Sequence, residues 1–449
     1  MNQDQKNNMS SSSLFSSKSY DLSGEIIIPG DKSISHRCII LSSLAIGESK
    51  ITGLLNSSDV NCTIDSMNSL GSCIDLNSND ECTISGIGIG SLKQPENPLD
   101  FGNSGTAARL ILGLVSTYPI KTYFIGDESL SKRPMKRVTE PLIDTGANFQ
   151  LRNSEFLPIT VKGAEYPIPI THEMQVASAQ VKSAIMFAGL NTPGITTIIE
   201  KERTRDHTET LFRYYGYEIN IEEKDGKNFI SFEGQKNLNS VNIKVPGDPS
   251  SAAYPVVAGL ICKNSNIKIK NVLLNPTRDG IYKCLDEMGA NIRYSNKKNE
   301  AGEITYDLEV FTSTLNPIDV PAKRAPSMID DYPILAVAAS MANGTSIFRG
   351  LSELKVKESD RLLGIYNFLS KNGVDASIED NNLIIKGSNI GPKGGALIET
   401  NLDHRIAMSS VILGMVSNQP IKVDDTETIK TSFPKFIELM KKLGAKLSA

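Results

Sequence analysis

Basic, hydroxyl and acidic residues recur in this sequence just ahead of apolar, helix-forming stretches. PGDKSISHR supplies Lys32, Ser33 and Arg37; FGNSGTAAR supplies Asn103, Gly105, Thr106 and Arg109; ASAQVKSA supplies Ser178, Ala179 and Gln180. SLSKRPMKR adds Lys132, Arg133 and Arg137, RTRDHTE adds Arg205, and LKVKESDR adds Lys357, Glu358 and Arg361. MIDDYP brings Asp330 and Asp331, and LDHRIAM brings His404 and Arg405. A helix N-terminus carries free N–H groups and about half a positive charge, so such residues there make a local anion site. The Lys and Arg set suits one or more doubly charged phosphates plus a carboxylate, because a guanidinium fork matches both bidentately. Asp330 and Glu358 add a base and an acid to these cations. Taken singly, each Ser or Asn reads equally well as a helix cap and each Gly as a turn; parallel openings favour one shared site. PGDPSSAAYP offers only hydroxyls and Asp248 and reads as structural, while Arg137 and Asp331 read as solvated or capping charges.

The elements that must position these residues repeat. Gly71, Gly146, Gly216, Gly289, Gly373 and Gly444 each end a helical-looking segment and precede a strand-like one, at intervals of 70 to 84 residues. Each fits a helix C-terminal position that needs positive φ. A second series, RCIILSSLAIG, AARLILGLVS, VKSAIMFAGL, SAAYPVVAGL, YPILAVAASM and RIAMSSVILGM, marks helices apolar almost all round, which predicts burial between other elements; the glycine-terminated helices are amphipathic. One unit reads helix, strand, amphipathic helix, strand or hairpin. Six units in 449 residues divide into two α/β lobes of three. The boundary falls around 241–249, and a cleft between the lobes is the expected ligand site. Cationic helix ends on both faces predict lobes that repel until an anion bridges them.

Charge and composition exclude several classes. With 47 Lys and Arg against 51 Asp and Glu the net charge is −4, which gives no overall field for nucleic acid or an anionic membrane. Six cysteines without a CxxC pair and four histidines without ligand spacing predict reduced thiols and no metal site. No run approaches the ~20 apolar residues of a membrane span. Residues 1–20 are Ser-rich and read as a disordered polar tail, with an organellar transit segment as the second reading and a cytoplasmic protein as the first. GIGIGS, over residues 86–91, has no helix after it and is not a dinucleotide fingerprint.

In order along the chain, PGDKSISHR, GNSGTAAR, SLSKRP, SAQVKSA, RDHTE, IDDYPILAVAA, KVKESDRL and DHRIAM resemble the enolpyruvyl transferase family, in the branch acting on 3-phosphoshikimate, from about Asp21 to the C-terminus. The resemblance implies a two-lobed inverse α/β barrel of six βαβαββ repeats, three per lobe. Residues 31–244 form the N-terminal lobe, and residues 21–30 with 245–449 form the C-terminal lobe. It implies a transferase that moves the enolpyruvyl (1-carboxyvinyl) group of phosphoenolpyruvate to the 5-hydroxyl of 3-phosphoshikimate by addition and elimination. The products are 5-O-(1-carboxyvinyl)-3-phosphoshikimate and phosphate, a shikimate-pathway step toward chorismate and the aromatic amino acids. Carried over by position, Lys32, Ser33, Arg37, Ser178, Ala179, Gln180, Arg205, Asp330 and Lys357 bind 3-phosphoshikimate. Lys32, Asn103, Gly105, Thr106, Arg133, Gln180, Arg361 and Arg405 bind phosphoenolpyruvate. Asp330 is the base and Glu358 the acid, with Lys32 and Lys357 able to share proton traffic. No cofactor or metal is implied, and a monomer is expected. The family's lysine ahead of a C-terminal FP pair is replaced by Thr431, with Lys430 one place earlier. Gly105, where a methyl would intrude on the phosphoenolpyruvate pocket, implies inhibition by glyphosate. A UDP-sugar enolpyruvyl transferase is disfavoured because GDESLSKRPMKR has no Cys. An RNA 3′-phosphate cyclase-like protein would need a nucleotide site and a catalytic His, and for a non-catalytic binding repeat Asp330 and Glu358 would be gratuitous.

Overall fold

The computed structural model describes residues 13–77 and 80–449. Among them are twelve α-helices: α1 Lys32–Leu44, α2 Ser58–Ser69, α3 Gly105–Val115, α4 Lys136–Ile143, α5 Ala179–Leu190, α6 His207–Tyr214, α7 Pro249–Ile261, α8 Gly280–Glu287, α9 Tyr332–Ser340, α10 Arg361–Lys371, α11 His404–Gly414 and α12 Phe436–Lys442. The odd-numbered helices are the small-residue apolar ones, and α7, α9 and α11 are buried at every position. Their starts are written in the sequence. Asp31, Ser104, Ser178, Asp248 and Asp403 each accept a backbone N–H of the first turn, which satisfies donors a helix start leaves free. The even-numbered helices keep one exposed face, and all six periodic glycines after them have φ between 76° and 104°. The glycine series is therefore a series of left-handed helix stops.

Six sheets surround the helices among the described residues. In the second sheet the order is Leu99–Asp100, Lys121–Ile125, Phe156–Lys162 and Asn148–Arg152. A short parallel edge strand, the strand after the buried helix and an antiparallel hairpin recur in the other sheets. The two- and three-residue edge strands, such as Leu99–Asp100, Asp319–Val320 and Leu397–Ile398, are too short to show an alternating pattern and were absent from the unit read directly from the residues. Three buried helices meet in each core, α1, α3 and α5 in one and α7, α9 and α11 in the other. These cores define the two lobes used below.

Three sheets are completed by distant segments. The edge of the first comes from Leu238–Asn239 and Asn242–Lys244, parallel to Ala45–Thr52; the edge of the fourth is Ser23–Ile27, parallel to Asn266–Leu273. Between these strands the chain passes twice from lobe to lobe, through 29–31 and 245–248. There Asp31 N donates to Pro246 O (2.8 Å) and Asp248 N to Pro29 O (3.0 Å). Gly30 lies so close to the Gly53 carbonyl that a Cβ would stand 2.0 Å from its oxygen, so only glycine fits this crossing.

The sixth sheet corrects the polar tail expected over 1–20. Residues 1–12 lie outside those described, but Leu14–Ser17 is a strand between Ile421–Val423 and Lys446–Ser448, antiparallel to both. Here Leu14–Ser17 and Lys446–Ser448 stand where the second sheet has a local hairpin. Ser16 is fully buried, donates to Val411 O at 2.6 Å, and faces Gly414 of α11. Ser16→Asp would place an unpaired charge in this joint, with a cost of about 3 kcal/mol or more. The expected result is a fall of roughly 5–10 °C in the calorimetric unfolding midpoint of the second lobe; an unchanged midpoint would mean that the strand does not form.

Candidate functional site

A cavity of about 390 Å³ lies between the lobes at the N-terminal ends of the buried helices. On the first-lobe wall, Lys32 in the first turn of α1 pairs with Asp59 of α2 (Nζ–Oδ2 2.9 Å), and Ser33 beside it lines the cavity. Arg37, one turn on, is clamped by three neutral oxygens: Nε donates to Thr208 Oγ1 (2.7 Å), Nη2 to Ser183 Oγ (2.7 Å) and Nη1 to Ser33 O (2.9 Å). Burial pushes its pKa down to about 10, although nearby acids, Glu209 first, oppose this.

The starts of α3 and α5 are joined through Gln180. Its Nε2 donates to Thr106 Oγ1 (3.0 Å), and its Oε1 accepts from Arg109 Nη1 (2.6 Å). Ser178 uses its hydroxyl to cap α5, and Ala179 opens that helix on the same wall. Arg133 donates through Nη1 to Asn103 O (3.2 Å) and through Nη2 to Ser129 Oγ (3.0 Å). A Cβ on Gly105 would sit 3.0 Å from Arg109 Nη1 and 3.2 Å from Arg133 Nη1, so the glycine makes room for two guanidinium groups. Burial, with Arg133 and Arg137 alongside, pushes Arg109 down to about 9.

The second-lobe wall holds the carboxylates. Asp330 precedes α9, and Glu358 lies in the loop before α10. Both meet Arg361, whose side chain is 0% exposed: Nη1 donates to Asp330 Oδ1 (3.3 Å), Nη2 to Glu358 Oε2, and Nε to Asp403 Oδ2 (2.9 Å). Burial alone would raise Asp330, but Lys357, Arg205, Arg405 and Arg361 outweigh it and hold the carboxyl well below the usual range. Burial likewise opposes the shift at Glu358, which Arg361, Arg133, His404 and Lys32 hold low. Burial lowers Lys357, with Asp330 opposing. Arg405, in the first turn of α11, faces Asp331 at 3.6 Å.

The structure brings every residue assigned by the resemblance to substrate binding or proton transfer, except Arg361, onto the cavity surface; Lys132, Asp331 and His404 do not line it. Arg361 acts from behind, through the two carboxylates. Lys430 pairs with Glu427 (2.6 Å), while Thr431 Oγ1 lies 3.3 Å from His404 Nδ1; neither lines the cavity. Asp331 is neither solvated nor a cap. It is 1% exposed, its side chain makes no capping bond, and burial raises its pKa against the pull of Arg405. Arg137 instead spans the lobes to Glu353 (3.0 Å). Asp248 is not merely structural, since it lines the cavity and caps α7.

The expectation that cations face each other across the cleft needs correction. Arg205 Nη2 of the first lobe meets Asp330 Oδ2 at 2.7 Å, Ser129 Oγ donates to Glu358 O at 3.0 Å, and Asn275 donates to Asp206 at 2.7 Å. The cations face carboxylates across the cleft rather than each other. Residue-by-residue reading missed Asp59, Asp403 and Arg278. Arg278 is buried where the two crossings meet, donating to Asp31 Oδ2 (2.9 Å), Asp248 Oδ1 (3.3 Å) and His207 Nε2 (3.2 Å). The available signal for the first two was their place in a helix's first turn and N-cap; Arg278 stands in NPTRDG, which carries no comparable mark.

Known proteins are similar to this chain over nearly its full length. The chain is 50% identical to the 3-phosphoshikimate 1-carboxyvinyltransferase of Paramagnetospirillum magneticum over 97% of its own length and 98% of that protein's. Against the Parvibaculum lavamentivorans enzyme of the same name the identity is 48%, over 98% and 97% of the two chains. The EPSP synthase structure from Acinetobacter baumannii superposes with a TM-score of 0.85 at 37% identity, covering 97% of this chain and all of that one. The enolpyruvyl transferase NikO from Streptomyces tendae shares the fold, with a TM-score of 0.76 at 16% identity over 97% and 98% of the chains. The EPSP synthase (3-phosphoshikimate 1-carboxyvinyltransferase) family model spans residues 17–440, and with this full-length similarity the chain belongs to that family.

Proposed function

We propose that this chain transfers the 1-carboxyvinyl group of phosphoenolpyruvate to the 5-hydroxyl of 3-phosphoshikimate, releasing inorganic phosphate. The observation that carries the reading is the pairing of Asp330 and Glu358 on one buried Arg361, facing a wall that carries Arg37, Arg205 and Arg133. Two anionic substrates need two cationic clusters, and addition across an enol double bond needs a base and an acid between them.

Ser33, Arg37, Ser178, Ala179, Gln180 and Arg205 hold 3-phosphoshikimate, with Lys357 beside its reacting edge. Lys32, Asn103, Gly105, Thr106, Gln180, Arg133 and Arg405 hold phosphoenolpyruvate, and Arg361 supports that side from behind the carboxylates. In the addition step Asp330 takes the proton of the 5-hydroxyl and the oxygen bonds to C2 of phosphoenolpyruvate; Glu358, which the cations around it keep ionised, takes up a proton when the phosphoenolpyruvate anion engages those cations and gives it to the methylene carbon. In the elimination step the C–O bond to phosphate breaks, the new methyl group returns its proton to Glu358 as the double bond re-forms, and the proton held by Asp330 passes to the departing phosphate, which leaves as hydrogen phosphate. Buried, prepositioned guanidinium groups stabilise the charge on the departing phosphate without reorganising. Lys32 is close enough to Asp59 to share proton traffic at this end.

With 3-phosphoshikimate and phosphoenolpyruvate and no added metal, the purified chain is expected to release phosphate; turnover of a UDP-sugar in its place would overturn the substrate assignment. Asp330→Ala and Glu358→Ala should each lower kcat by ~10²-fold or more, with substrate binding less affected. Arg133→Ala should raise KM for phosphoenolpyruvate more than KM for 3-phosphoshikimate, and equal rises would refute its placement. Gly105→Ala, which presses a methyl on Arg109 and Arg133, should raise both KM for phosphoenolpyruvate and the glyphosate concentration needed for half-inhibition.

A further inference from the structure

The two oxygens of Asp330 are held differently. Oδ1 faces Arg361 (3.3 Å) and Lys357 (3.6 Å), both from its own lobe, whereas Oδ2 meets Arg205 (2.7 Å) from the opposite lobe. The Arg361 side chain is 0% exposed and does not line the cavity; the Arg205 side chain is 15% exposed and lines it. Resting on the function proposed above, we infer that Arg205 is a phosphate-gated counterion. It covers the oxygen of Asp330 that must take the hydroxyl proton, and the 3-phosphate of the arriving alcohol draws it away, which uncovers the base for a phosphorylated substrate.

Three observations support the exchange. A guanidinium between a carboxylate and a phosphate dianion in the same cavity favours the dianion, which offers more charge and more acceptor oxygens. The backbone on either side of Arg205 is pinned. Thr204 N donates to Glu200 Oε1 (3.3 Å), and Asp206 is held by Asn275 (2.7 Å) and Arg203 (2.7 Å), so the movement required is that of one side chain. When Arg205 leaves, Oδ1 stays anchored by Arg361 and Lys357, so the uncovered oxygen keeps its aim. Burial favours the neutral form of Asp330, and Arg205 is among the four cations, with Lys357, Arg405 and Arg361, that oppose this; withdrawing it makes the carboxylate a stronger base. Glu358 has the same division, with Oε2 on Arg361 and Oε1 3.9 Å from first-lobe Arg133.

A residue that only binds phosphate would do nothing for a substrate without one. The test compares 3-phosphoshikimate with shikimate, the same alcohol lacking the phosphate, in the wild type and Arg205→Gln. The variant should lose ~10-fold or more in kcat/KM with 3-phosphoshikimate, yet turn over saturating shikimate about 3- to 10-fold faster than the wild type, because its base is permanently uncovered. Arg205→Lys, which keeps a cation on Oδ2, should not show the gain. Unchanged or slower shikimate turnover in Arg205→Gln overturns the gating role and leaves the proposed function standing; a wild type inactive on 3-phosphoshikimate overturns the function itself. In the wild type, which needs no variant to fold, carbon-13 NMR of the Asp330 carboxyl should give a higher pKa with 3-phosphoshikimate bound than with shikimate bound. Equal values would also overturn the gate.

Discussion

The rest of the structure depends on one buried cation. Arg361 is fully enclosed and hydrogen-bonds three carboxylates, of Asp330, Glu358 and Asp403. Burying a guanidinium costs several kcal/mol unless its hydrogen bonds are satisfied, and a cluster of this kind is tolerable only when whole. Three carboxylates on one cation leave a local excess of negative charge. Lys357, Arg205, Arg133 and Arg405 answer it from around the cavity. The two carboxylates proposed as acid and base are thus held by a fully buried guanidinium on one side and faced by cavity-lining cations on the other. The same charge balance sets the relation of the lobes, because first-lobe Arg205 and Arg133 are part of the answer to second-lobe carboxylates.

Around this centre, the fold brings helix starts together. Each unit presents the N-terminus of a buried helix to the cleft, and in five of the six an acid or hydroxyl caps it, as Asp31 does ahead of Lys32 and Asp403 ahead of His404 and Arg405; α9 starts without a side-chain cap. The cap fixes the first turn, so the side chains after it inherit a defined direction. Where the two crossings meet, Arg278 binds the caps of α1 and α7 together, and Asp31 is pulled down to about 2 chiefly by that guanidinium, against its burial. Neutralising both caps in one place keeps Asp31 from competing for Lys32 and Arg205. The hinge and the site are therefore one electrostatic problem.

What was legible in the sequence was local. Gly71 and its five counterparts announced helix stops because a left-handed residue has few alternatives to glycine, and the odd helices announced burial because they have no polar face. That the candidate site residues share one cavity was legible because helix openings concentrate them next to caps. What was not legible was the partner of each group. Leu14–Ser17 is four residues in a Ser-rich stretch, and its strand identity comes wholly from two strands more than 400 residues away. Asp331 looked like an ordinary acid beside Asp330, and only the packing of α9 buries it. Repulsion between lobes followed from counting cations by helix; placing Glu358 and Asp330 between them reverses the sign.

That reversal changes how substrate recognition works in a chain whose net charge is −4. An empty pocket of unpaired guanidinium groups would destabilise the closed arrangement, since like charges in a water-poor cleft repel strongly. Pairing Arg205 with Asp330, and setting Arg133 near Glu358, removes that cost. Substrate anions then exchange with protein carboxylates instead of adding to bare cations, so part of the binding energy is spent on breaking pairs. A ligand without the right anion in the right place leaves those pairs intact. Binding energy from a phosphate remote from the reacting carbon is in this way converted into basicity at the hydroxyl, where it raises turnover and not merely affinity.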